Sequence, residues 1–65
     1  MSKYNAIREQ LRVEVDKKQQ GTVDTFLRDI EQRHKQDEFC DRYIKLQDVG
    51  FSPYDSLIAY MKGSK

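Results

Sequence analysis

Residues 22–48 read TVDTFLRDIEQRHKQDEFCDRYIKLQD, a stretch with no glycine and no proline. Val23, Phe26, Leu27 and Ile30 recur at spacings of three and four and form one apolar face of a helix. The stripe thins where His34 and Asp37 stand, then resumes with Cys40, Tyr43, Ile44 and Gln47, while Phe39, Tyr43 and Leu46 make a parallel row. This pattern predicts one long helix over about 22–48, with a kink in the region of residues 34–37. At about 1.5 Å per residue it is roughly 39 Å long.

Towards the N-terminus, Thr22 is an expected N-cap and Asp24 an acid in the favourable first turn. Gly21 is an expected stop for a preceding helix over about 3–19. In that helix Tyr4, Ile7, Leu11 and Val15 share a stripe, and Lys17 and Lys18 suit the negative end of its dipole. Towards the C-terminus, Gly50 is followed by Ser52-Pro53-Tyr54-Asp55, an N-cap serine, a proline at the first helical position and an acid at the third. A short helix over about 53–62 follows, with Tyr54, Leu57, Ile58 and Met61 on one face and Gly63 at its end. The fold expected is all-α: an antiparallel hairpin of about 3–19 against about 22–48, capped by a short third helix.

A chain of 65 residues buries a smaller share of its surface than a larger domain and needs support from disulfides, metal or association. One cysteine, Cys40, makes no internal disulfide, and a lone thiol fits a reducing cytoplasm. The first helix is too short to cover the whole stripe of the second, so a homodimer packed through the long helix is expected. In each subunit Ile7, Leu11 and Val15 should meet Phe26, Leu27 and Ile30. The expected dimer or partner interface comprises Phe26, Ile30, Phe39, Tyr43, Ile44 and Leu46, with Tyr54 and Tyr60 as further partner contacts. Tyrosine suits such surfaces because it joins apolar area to a hydrogen-bonding tip.

Apolar residues make up 37% and charged residues 35%, a balance that supports a folded core rather than disorder. No apolar run approaches the roughly 18 residues of a membrane span, and the opening MSKYNAIREQ lacks the apolar stretch of a signal peptide. A cytoplasmic location is expected, with no membrane contact.

No catalytic, cofactor or metal site is expected. His34 and Glu38 are an i,i+4 pair, but no second histidine or cysteine completes a zinc site. Cys40 as a nucleophile would need a base in reach, and His34 lies more than a helical turn away. Carboxylates such as Asp37 and Glu38 are adjacent and do not converge on a helix. With a formal net charge of +1 and no strongly basic tract, nucleic-acid binding is the lesser reading. Residues 43–62 have the outline of helix, turn, helix, but Asp55 would stand where the bases are read. The better candidates for nucleic-acid contact are Arg8, Arg12, Lys17 and Lys18 on the outer side of the first helix.

The length, the charge-rich helices, the plain start MSKYNAIREQ and the single Cys40 are similar to those of the short helical accessory proteins encoded in early operons of temperate, lambda-like bacteriophages. That resemblance implies a non-enzymatic protein that modulates host physiology or phage development by binding a host or phage protein.

Overall fold

A computed structural model describes residues 3–63, which form four helices: α1 (Lys3–Glu14), α2 (Lys17–Gln32), α3 (Gln36–Asp48) and α4 (Pro53–Gly63). The chain is all-α, with no strand among the described residues. Every pair of helices is in contact, so the expected hairpin with a cap is replaced by a four-helix cluster.

The expected long helix is two helices. His34 takes a left-handed conformation at φ 56° and ends α2. The Lys35 N–H then donates to the Ile30 carbonyl at 3.0 Å and the His34 N–H to the Glu31 carbonyl at 3.2 Å, the paired bonds of a helix closed through a left-handed residue. The same device ends α3: Gly50 has φ 103°, with Phe51 donating to Leu46 at 3.1 Å and Gly50 to Gln47 at 3.0 Å. One stop is marked by glycine and the other by histidine. An unbroken helix of roughly 39 Å would also overrun a molecule measuring 28 × 27 × 25 Å. Turning back at His34 brings Phe39, Cys40 and Tyr43 into the same core as Leu11, Leu27 and Leu57.

The boundary between the first two helices is also corrected. Gly21 and Thr22 lie inside α2, and α1 stops at Glu14. Asp16, at φ −58° and ψ 150°, is extended and starts α2. A side chain one turn further on does the capping: the Gln20 amide donates to the carbonyls of Leu11, Arg12 and Val15 at 3.1, 3.1 and 2.9 Å. The Leu11 carbonyl also accepts the Val15 N–H at 3.3 Å, whereas those of Arg12 and Val15 lie where the ladder of α1 has run out. Lys17 and Lys18 therefore occupy the first turn of α2, where the dipole disfavours cations, rather than the last turn of α1.

The start of α4 is as expected. The Asp55 N–H donates to Ser52 Oγ at 3.2 Å, and the buried Ser56 hydroxyl donates to the Ser52 carbonyl at 2.9 Å. Ile7, Leu11, Val15, Leu27 and Ile30 share one core, with Phe26 partly buried against it. At its centre Phe39 meets Tyr4 of α1, Tyr43 of its own helix and Tyr60 of α4, at ring-centroid distances of 6.2, 5.6 and 5.3 Å in edge-on or tilted contacts. Two phenols tie helices together at the core edge: Tyr4 donates to Glu31, and Tyr43 donates to Gln10 at 2.7 Å.

Two backbone positions carry a removable cost. His34 is exposed and left-handed, a conformation that costs an L-residue about 1–2 kcal/mol. Gly21 is exposed inside a helix, and a Cβ there meets nothing within 4 Å. His34→Gly and Gly21→Ala are each expected to raise stability by roughly 0.5–1 kcal/mol. In a domain of this size that is a rise of a few degrees in Tm. The converse pair, His34→Ala and Gly50→Ala, should both lower it. Thermal melts of the four variants check the two helix stops directly, and a neutral His34→Gly would be incompatible with the left-handed turn.

Candidate interaction surfaces

The expected interface residues divide sharply. Ile30, Phe39, Tyr43 and Tyr60 are no more than 5% exposed in a single chain and belong to its own core. They cannot meet a partner while the chain is folded, so the dimer expected through the long helix has neither its helix nor its central contacts. The reason is the turn at His34, which lets α1 and α4 cover the aromatic cluster from within. Phe26, Leu46 and Tyr54 are half-buried, and only Ile44 is exposed.

Other apolar side chains take the exposed positions. Val13 is 76% exposed, Val49 72%, Phe51 43% and Ile44 41%. A shallow groove lined by Glu14, Val15, Asp16, Gln19, Ser52, Pro53, Tyr54 and Asp55 sets the α1–α2 turn beside the start of α4. In sequence, Val13 adjoins the α1–α2 side of that groove, and Val49 and Phe51 precede its α4 side. Val49 and Phe51 have no place in the helical stripes, since they lie in the turn where periodicity carries no information.

The basic residues of α1 are redistributed as well. Arg8 and Arg12, one turn apart on α1, line a groove of about 410 Å³ with Gln20, Asp24, Leu27, Arg28 and Glu31 of α2. Nothing in the sequence pattern marks Arg28 for this place, because only the packing of α1 on α2 brings it opposite Arg12. By helical register Lys17 lies near the Gln20 side of α2, whereas Lys18 is turned away from it. The four cations expected to act together are thus replaced by three arginines on two helices.

The remaining reactive groups are separated or quenched. Cys40 is buried beside a groove formed with Tyr4, Arg8, Glu31, Asp37 and Asp41. Burial first, then the charges of Asp37 and Asp41, push its thiol up, the reverse of what activates a thiolate. His34 is exposed in its turn, and Glu38 reaches Lys35 at 3.9 Å. Among the described residues no group of three or more His, Cys, Asp or Glu is placed to hold a metal ion. Nor is any described helix long and apolar enough to cross a membrane.

No protein-family model, curated protein or solved structure matches the chain.

Proposed function

We propose that the chain is a small non-enzymatic protein-interaction module that associates first with a second copy of itself, through the exposed apolar side chains of Val13, Val49 and Phe51. The observation that supports this reading is the α3–α4 turn. Its geometry is provided by the left-handed Gly50 and by the Ser52 cap, neither of which needs a valine at 49. A largely exposed Val49 contributes little to the fold, and burying it with Phe51 against a partner would recover apolar area lost to water. A standard contact of about 800 Å² per partner is about one-sixth of the chain's 4784 Å² surface, so a single end of the molecule suffices. The further role, a phage accessory protein acting on a host or phage protein in the cytoplasm, rests on the resemblance in length and helical style.

Light scattering over a dilution series tests the reading. The expected mass is near twice 7.8 kDa, falling to that of a single chain in the double variant Val49→Ser/Phe51→Ser. Circular dichroism of the variant should stay unchanged, because both side chains lie outside the buried core. A wild-type chain that is monomeric throughout the series would overturn self-association.

A further inference from the structure

The groove between α1 and α2 holds an arrangement that the fold itself does not use. Arg8 and Arg12 stand one turn apart on α1, and Arg28 faces them from α2. All three are exposed, and none of their guanidinium groups makes a hydrogen bond or an ion pair within 4.0 Å with any described residue. Like charges at i,i+4 on a helix are unfavourable by a few tenths of a kcal/mol, and a third guanidinium across the groove adds to the repulsion. Two carboxylates, Asp24 and Glu31, line the same groove and offset part of that repulsion, which leaves three cations against two anions. Glu31 already accepts the Tyr4 hydroxyl, and Asp24 pairs with none of the arginines. The groove is also firmly built. Its floor is the buried Leu27, and one end is held by Gln20, whose amide is committed to the carbonyls of Leu11, Arg12 and Val15.

From this geometry we infer that the α1–α2 groove is a binding site for a single phosphate group, carried free or as a monoester, held by Arg8, Arg12 and Arg28. A guanidinium presents a planar fork of donors that matches phosphate oxygens in pairs. Forks arriving from two sides of a groove call for an anion with acceptors on several sides, which a tetrahedral phosphate has and a planar carboxylate lacks. Asp24 and Glu31 limit the site to one such group, because a continuous polyanion laid along the groove would meet both carboxylates. They are also placed to accept hydroxyl groups of whatever carries the phosphate. The inference is independent of Val13, Val49 and Phe51, none of which lines this groove.

The test is a titration of the full chain with inorganic phosphate at constant ionic strength, followed by the guanidinium and backbone N–H resonances. Saturable shifts confined to Arg8, Arg12, Arg28 and their neighbours are expected, and Arg28→Gln should weaken binding at least tenfold. Arg42→Gln, outside the groove, should leave it unchanged and shows that lost net charge is not the cause. A mononucleotide and a duplex oligonucleotide distinguish the carriers: the mononucleotide should bind at least as well as free phosphate and compete with it. Linear, unsaturated shifts, or a response indifferent to Arg28→Gln, would overturn the site. Binding by the duplex alone, weakening steeply with salt, would overturn it in favour of a nucleic-acid surface.

Discussion

Phe39→Ala is expected to bring the chain to the edge of unfolding at room temperature. Phe39 is wholly buried and is the one ring that contacts Tyr4, Tyr43 and Tyr60 together, so its removal empties the point where α1, α3 and α4 meet. Deleting a buried phenylalanine side chain costs about 3–5 kcal/mol, and breaking its edge-on ring pairs adds to the cost of the cavity. At roughly 0.05–0.15 kcal/mol per residue, a domain this small has a total stability of only about 3–10 kcal/mol. Urea unfolding followed by circular dichroism should show the midpoint collapsing for Phe39→Ala. Phe39→Leu, which keeps most of the volume, should lie between it and wild type. Gln32→Ala, at an exposed site outside both proposed surfaces, should be silent within about 0.5 kcal/mol. A Phe39→Ala variant that melts cooperatively near the wild-type temperature would refute the four-helix core.

Raising the pH past 10 is expected to unfold the protein through its buried phenols. Burial, followed by the charge of Glu14, pushes the Tyr43 hydroxyl up to about 12. Tyr4 is pushed up further, by burial, then by its hydrogen bond to Glu31, then by that carboxylate's charge. In the unfolded chain both phenols ionise near their ordinary value of about 10. Between about 10 and 12 the folded state therefore holds protons that the unfolded state releases, and stability must fall with rising pH. The contribution is fully present below pH 10 and is lost as pH rises through the folded values. The raised Cys40 thiol acts in the same direction at somewhat lower pH. Urea midpoints measured from pH 8 to 12 should begin to decline at about pH 9, where the unfolded thiol ionises, and fall most steeply above about pH 10 in wild type. The decline should be shallower in Tyr43→Phe and shallowest in Tyr4→Phe/Tyr43→Phe. A midpoint that stays level to pH 12 would mean that the phenols are not held neutral in the core.

Both results bear on how the tyrosines are read. Three of the four, Tyr4, Tyr43 and Tyr60, are core residues of one chain, although in sequence a tyrosine at the edge of an apolar stripe looks the same whether it closes a core or meets a partner. The deciding quantity is how much surface the rest of the chain covers. With a continuous second helix that cover is insufficient and a second copy is needed. Once the helix turns at His34 the chain supplies the cover itself, and the exposed apolar groups move to the turn at Val49 and Phe51.

What the sequence by itself determined is what short-range hydrogen bonding and periodicity control. The helical class, the Tyr4, Ile7 and Leu11 stripe, the glycine stop at Gly50 and the capped start of α4 at Ser52 all depend on residues within one or two turns of one another. What only the tertiary structure decided is the form of the breaks: the thinning stripe marks an interruption at residues 34–37, but not that the chain turns back there, and nothing local marks the end of α1 at Glu14. Gln20 caps α1 from within the next helix, across a turn whose register cannot be known until Val15 is buried. His34 adopts a left-handed conformation that costs about 1–2 kcal/mol locally. That cost is offset only when α3 folds back and buries Phe39, Cys40 and Tyr43 against α1 and α4. The same packing brings Arg28 across from Arg8 and Arg12, since residues more than a dozen positions apart share a groove only after two helices have docked.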